Sequence, residues 1–472
     1  MATACLLLAL AGCAPVTPRA EGRVALEVPD AWSVTDVALA PGPTALVGWW
    51  WRFDDPLLAS LIADALRANT SVTGAQAALK QARALREVAA AALSPTLGSS
   101  ASVRRSTASS AATPASGRTT SNTFRAGLDA NWELDFFGVN RNALAATEAT
   151  AGASAASLGD VQVSIAAELA LAYITLRNAQ ARLAIAHANL ASQQETLQIT
   201  QWRQRAGLVT SLEAEQARAA AEQTGALVPA LQVGIAQASH ALAVLSGRPP
   251  AALAARLAEA APVPEASEQL ALSLPAETLR QRADVRSAEH QISAAQARVG
   301  QAEAARLPSF SIGGSLGLSA LTFGALTNGA SVVATLLGSV SWPVFDGGAA
   351  RAQVDVQQAA LDQAVAAYRA VALLALKDVE DALVALRGDR LRLVRLVNAA
   401  DAASNAALMA RQRYGSGLVD FQTVLETQRT QLGTQDGVAS ARADVSSDHV
   451  RLYKALGGGW EPDRNINQVS MP

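Results

Sequence analysis

"NWELDFFGVNRNALAA", Asn131 to Ala146, passes from alternating apolar and polar residues into the spacing of a helix, and "SWPVFDGGAARAQVD" from Ser341 does the same. Trp132 and Trp342 stand 210 residues apart, as do Arg177 and Arg387, Gly207 and Gly417, Leu208 and Leu418, and Val209 and Val419. This is an internal repeat, so whatever the passage forms, the chain forms twice.

Upstream of Trp132 the alternation is strict. Phe124, Ala126, Leu128, Ala130, Trp132 and Leu134 share one face, while Arg125, Asp129, Asn131, Glu133 and Asp135 share the other, which predicts a strand with one apolar face. The second copy sets Val332, Ala334, Leu336, Val340 and Trp342 against Thr335, Ser339 and Ser341. Another strand precedes each, "TLGSSASVR" after Pro95 and "SFSIGGSLGL" after Pro308. The expected strands cover about 96–104, 123–135, 308–318 and 331–345, with loops from Arg105 to Thr123 and from Ser319 to Ala330. Apolar-out, polar-in strands of about ten residues suit a membrane barrel. A soluble sandwich also has one apolar face, so strand periodicity alone leaves both open.

Downstream, about Val139 to Arg205 and about Gly348 to Arg413 contain no proline, which gives two helices of about 65 residues, or ~100 Å each. In the first, Leu169, Leu176, Leu183, Leu190 and Leu197 recur every seven residues with Ala172, Ala179 and Ala186 three positions after, a heptad seam. Val379, Leu386, Leu393, Ala400 and Ala407 repeat the interval in the second. Shorter helices are expected over Ser71 to Leu93, Ser211 to Leu245, Asp284 to Arg306 and Asp420 to Leu456. End to end, the short pair of each copy reaches roughly 87–90 Å, close to the long helix. The class is therefore mainly α with a small β part, each copy running helix, strand, strand, long helix, helix. Four strands cannot close a membrane barrel, so spanning by strands forces oligomerisation.

Composition narrows the function. Half of the 472 residues are apolar but only 4% are aromatic, and Lys+Arg 38 against Asp+Glu 40 leaves a charge of -2, with no basic surface for nucleic acid. "MATACLLLALAGCAPVTPRAEG" reads as an export signal over residues 1–12, too short to span a bilayer, with Cys13 in the place of a lipobox cysteine. No Lys or Arg precedes the apolar run, which points to a start upstream of Met1; an ordinary signal peptide with an incidental cysteine is the other reading. Cys13 is the one mature cysteine, so neither a disulfide framework nor a cysteine-ligated metal is expected. No later stretch reads as a transmembrane helix. The expected organisation is a lipidated segment 13–48, a first repeat 49–250, a proline-punctuated linker 251–275, a second repeat 276–458 and a tail 459–472.

Four passages carry a family resemblance: "WWRFDDPLLASLIADAL" from Trp50, "LPAETLRQRADVRSAEHQISAAQARVGQAEAARLPSFSIGGSLG" from Leu274, "RQRYGSGLVDFQTVLETQR" from Arg411 and "LYKALGGGW" from Leu452. Over nearly its whole length the chain resembles the bacterial outer-membrane efflux factors of the TolC and OprM type, nearest the NodT lipoproteins. The resemblance implies a homotrimer, with twelve strands in one outer-membrane barrel and twelve helical rods continuing it through the periplasm. It also implies partners, a periplasmic adaptor and an inner-membrane transporter of the RND type, and anchorage in outer-membrane lipid through a palmitate-bearing Cys13.

Candidate site residues follow at the two helix-to-helix turns, "RQRAGLVTSLE" and "RQRYGSGLVD". Gly207 and Gly417 supply backbone freedom, and Leu208, Val209, Leu418 and Val419 read as exposed contacts for the adaptor; the plain alternative is a helix stop followed by a core stripe. Asp420 matches the family's acidic position at the periplasmic entrance, where three copies would repel one another and attract cations. Asp is equally a favoured N-cap, and its counterpart Thr210, with Glu213 three residues on, reads as a capping box. Enzyme chemistry finds no purchase. His187, His240, His290 and His449 sit singly on separate helices, "GGSLG" at Gly313 lies inside a strand, and Glu168, Asp378, Glu380 and Asp381 read as a solvated or lumen-facing surface. No cofactor is expected. A passive efflux duct explains strands and heptads together; a type I secretion duct is the near alternative, a periplasmic coiled-coil scaffold or a lipoprotein enzyme the distant ones.

Overall fold

A computed structural model describes residues 28–33, 46–108, 119–266, 275–327 and 331–461; the expected signal peptide and Cys13 lie outside the described residues. The elements are α1 (Pro56–Ala68), α2 (Thr70–Ala91), β1 (Thr96–Ala108), β2 (Thr119–Leu134), α3 (Val139–Arg205), α4 (Ser211–Gly225), α5 (Leu227–Leu245), α6 (Ala254–Leu257), α7 (Pro275–Gln281), α8 (Ala283–Ala304), β3 (Ser309–Ala320), β4 (Val332–Ser341), α9 (Ala349–Gly415) and α10 (Phe421–Ala455). They group into two compact units, and neither is a repeat half. One takes Ala78–Ser154 and Ser287–Arg369, the other the described residues of Leu26–Ala77, Ala155–Arg286 and Ala370–Pro472.

The first unit holds one antiparallel sheet in the order β1-β2-β3-β4. Its register places Trp132 opposite Ile312, Leu128 opposite Leu316 and Leu316 opposite Ala334, so the apolar residues of all four strands share one face. Asp129 opposite Ser315 and Glu133 opposite Ser311 mark the polar face. Both tryptophans anchor the sheet to a helix end: the Trp132 indole donates to the Leu93 carbonyl at 3.0 Å, just past α2, and the Trp342 indole to the Arg306 carbonyl at 3.2 Å, just past α8. Much of the expected first loop is strand. Hydroxyl pairs Ser106–Ser121 and Thr107–Thr120, at 3.1 and 3.3 Å, extend the β1–β2 ladder, since serine and β-branched threonine pair well across strands. β4 stops at Ser341, short of the expected 345, because Pro343 cannot donate to a ladder.

The core belongs to the second unit. Trp49, fully buried, stacks on Tyr453 with ring centroids 5.6 Å apart and meets Phe53 edge-on. Asp55 caps α1 by accepting the Leu57 and Leu58 amides, and Pro56 fills the first helical position, where its missing N–H costs nothing. The other Asp55 oxygen accepts from Tyr173, whose ring lies under Arg177. Buried Arg177 donates to the carbonyl of Glu259 and Gln180 to that of Leu257, which ties α3 to the segment between the repeats.

Three expectations are corrected here. The rod expected over Ser211 to Leu245 breaks at Ala226, because Pro229 has no N–H for the Gly225 carbonyl. The leucine seam holds only at Leu169 and Leu176; farther along α3 the buried stripe is Ala186, Asn189, Gln193, Thr196 and Thr200, while Leu183, Leu190 and Leu197 are half-buried. Asn189 bonds Gln435 and Thr196 bonds Gln428 of α10, so this seam is knit by hydrogen bonds. Finally, α3, the span Ser211–Leu245 and α9 each contain a window apolar enough, by length and composition, to cross a membrane. Alanine contributes much of that hydropathy while offering little area to bury.

Candidate functional site

Each helical hairpin turns on a glycine. α3 ends with Gly207 at φ +71°, donating to the Gln204 carbonyl at 2.9 Å, while Leu208 donates to that of Arg203 at 2.8 Å. α9 ends in the same way: Gly417 at φ +74° donates to Tyr414 at 3.1 Å and Leu418 to Arg413 at 2.9 Å. Both are Schellman turns, in which the residue after the glycine usually packs back on the helix. Here Leu208 and Leu418 are each 73% exposed. Val209 and Val419, expected to be exposed beside them, are half-buried.

A joint the sequence did not disclose links the two turns. The Arg203 guanidinium lies 4.7 Å from the centroid of the Tyr414 ring and donates to the carbonyls of Tyr414 and Gly415, at 3.4 and 3.2 Å. The Tyr414 hydroxyl donates to Glu213 at 3.1 Å. Ala217, Ala220, Phe421 and Leu425 bury a small apolar cluster behind them, against Tyr414 and Leu197. The available signal was "RQRYGSG", where an aromatic stands three residues before the turn glycine Gly417.

Asp420 is the N-cap of α10. Its Oδ1 accepts the Thr423 amide at 2.9 Å and the Thr423 hydroxyl at 2.5 Å, and these two bonds hold its carboxyl below the ordinary carboxylate range. At the other turn the expected capping box is not formed. Thr210 makes no side-chain cap bond, and the Glu213 carboxylate accepts from Tyr414 instead. The turns therefore match in backbone but not in charge: the second carries an exposed ionised group where the first carries a hydroxyl.

Carboxylates collect again around a cavity of about 400 Å³ whose lining includes Asp160, Arg282, Asp284, Asp378, Asp448 and Lys454. Asp378 and Asp284 pair with Arg282, at 3.3 and 2.7 Å. Asp448 is 1% exposed; one oxygen accepts from Arg451 at 2.7 Å, and burial, helped by the neighbouring Asp389 carboxylate, pushes the carboxyl up to about 6. Burial lowers neighbouring His449, which contacts Arg390 at 3.0 Å. Among the described residues no group of three or more His, Cys, Asp or Glu is placed to hold a metal ion.

The sequence matches the family described as "Outer membrane efflux protein" over residues 61–248 and 274–458. The chain belongs to the outer membrane efflux protein family. It is similar to the pyoverdine export outer membrane protein OpmQ of Pseudomonas putida, 32% identical over 469 residues that cover 97% of this chain and 98% of that protein. Nodulation protein T of Rhizobium leguminosarum bv. trifolii is 28% identical over 430 residues, 89% of this chain and 90% of that one. The solved outer-membrane channel OprN superposes with a TM-score of 0.87 at 35% identity, covering 93% of this chain and 98% of that one. This outer membrane efflux protein is thus mostly helical with a small sheet, resides in the outer membrane and serves as an exit duct for efflux.

Proposed function

We propose that three copies close their sheets into one twelve-stranded barrel, continued into the periplasm by twelve helical rods, and that this homotrimer is the passive outer component of a tripartite pump for drugs or other small toxic solutes. The sheet carries the reading. Its apolar face is bare, with Leu336 83%, Leu97 72%, Val340 63% and Leu316 57% exposed, and among the described residues the outer edges of β1 and β4 pair with nothing. An apolar face needs lipid, and an open edge is not tolerated in lipid, so other copies must complete the barrel. The family resemblance supports three as the number of copies.

The same reading gives the turns their work. Leu208 and Leu418 are the apolar contacts for a periplasmic adaptor that couples the duct to an inner-membrane transporter, and Val209 and Val419 support them from below. Asp420, repeated by threefold symmetry, forms an electrostatic constriction at the entrance while it caps α10. Cys13 carries acyl chains that tether the mature N-terminus to outer-membrane lipid; Cys13→Ser should abolish palmitate incorporation, and equal labelling of the mutant would remove the anchor. The assembly is tested by native mass spectrometry of protein extracted from outer membranes. A mass of three protomers is expected; single copies throughout would end the duct reading.

A further inference from the structure

We propose that Arg104 and Arg125 form an anion-binding ring inside the barrel, on the side of the strand-connecting loops, which takes solutes bearing phosphate or carboxylate groups. This rests on the trimeric duct proposed above, with the polar face of the sheet turned inward. Arg104 stands opposite Thr123, and Arg125 opposite Ser102 on one side and Ser319 on the other, so both lie on the polar face as diagonal neighbours. At that offset long side chains on adjacent strands reach each other. Both are exposed, and among the described residues neither has a hydrogen-bond or ion-pair partner. Arg105, by contrast, points to the opposite face, across from Asn122.

Charge on this face is sorted rather than mixed. Its carboxylates, Asp129 and Glu133, follow Arg125 by four and eight residues, about 13 and 27 Å along the strand. Asp129 is already engaged by the Ser100 hydroxyl at 2.8 Å. The row between holds Gly127 opposite Gly317, where a Cβ on Gly127 would sit 3.2 Å from the Gly317 Cα, so no side chain grows there to cover the arginines. The β2–β3 ladder ends one row beyond Arg125, at Phe124 opposite Ala320. Two unneutralised guanidinium groups thus stand near the rim of the four-stranded sheet, with acidic residues toward the helices. Neighbouring like charges repel, and interleaving them with the carboxylates would have relieved it; this arrangement instead offers a positive site to something mobile. Three copies would bring two arginines each to one ring, and guanidinium forks match phosphate and carboxylate oxygens two at a time.

The test uses the full-length trimer in planar bilayers at about 0.1 M salt, where screening is modest, with inositol hexakisphosphate added to one side at a time. Block is expected from the barrel side only. Arg104→Gln with Arg125→Gln should raise the half-blocking concentration about tenfold or more, whereas Arg104→Lys with Arg125→Lys, which keeps the charge but loses the fork, should raise it by less. Asp129→Asn should leave it unchanged. Equal block of the glutamine and wild-type channels, or block of equal strength from the turn side, would overturn the ring. Wild-type protein that yields no trimer and no channel would instead remove the duct reading on which the ring depends.

Discussion

Asp420 reconciles two demands on one carboxylate. Its bonds to Thr423 fix the start of α10 and favour the ionised form, so its stabilising share is present above about pH 4 and lost as the pH falls through its lowered value. Asp420→Asn keeps an acceptor for the cap and removes the charge. In bilayers that variant should change conductance and weaken block by divalent or trivalent cations; channels indistinguishable from wild type would leave Asp420 as a cap alone. Asp448 is the opposite case. Its carboxyl is raised to about 6, so the stability it contributes is full below about pH 4 and fades as the pH rises through 6. Asp448→Asn keeps an acceptor for Arg451 and should raise the melting temperature by roughly a few degrees at pH 7 while matching wild type at pH 4. An equal shift at both values would show that the burial of its charge is immaterial.

The elements divide by whether a local rule or a tertiary partner decides them. The long helix appears as Val139–Arg205, its expected span, because the helical pattern runs unbroken by proline from Gly138 to Gly207. Strand alternation placed Trp132 and its face correctly, since a period of two needs no neighbour to be visible. The polar seam was not legible: Asn189, Gln193 and Thr196 look like a solvated stripe until Gln428 and Gln435 of α10 are set against them. Arg203 on Tyr414 is hidden for the same reason, the partners being 211 residues apart in the chain. The turns themselves were legible, because glycine beyond a helix and an apolar residue after it have one geometry. Leu208→Ser with Leu418→Ser should therefore abolish most efflux, read as solute resistance, while trimers survive. Full resistance in the double variant would take the docking role away from these residues.

At the scale of the molecule the repeat is not a domain boundary, since both compact units draw on both halves. The sequence reveals the repeat because matched residues recur 210 positions apart, yet it is silent on the unit division, which depends on contacts between distant segments. What the described residues of one chain leave unfinished is the sheet, with free edges on β1 and β4. In the proposed barrel the edge of β1 meets β4 of the next copy, antiparallel, all the way round. Disulfide trapping tests this most directly: Ala101→Cys on β1 is combined in turn with Ala334→Cys, Leu336→Cys or Gly338→Cys on β4, and outer membranes are oxidised and resolved without reductant. The account predicts, for at least one pair, a ladder that ends at three copies and is missing from each single variant. Failure of every pair to cross-link, or a ladder that runs past three, would contradict it.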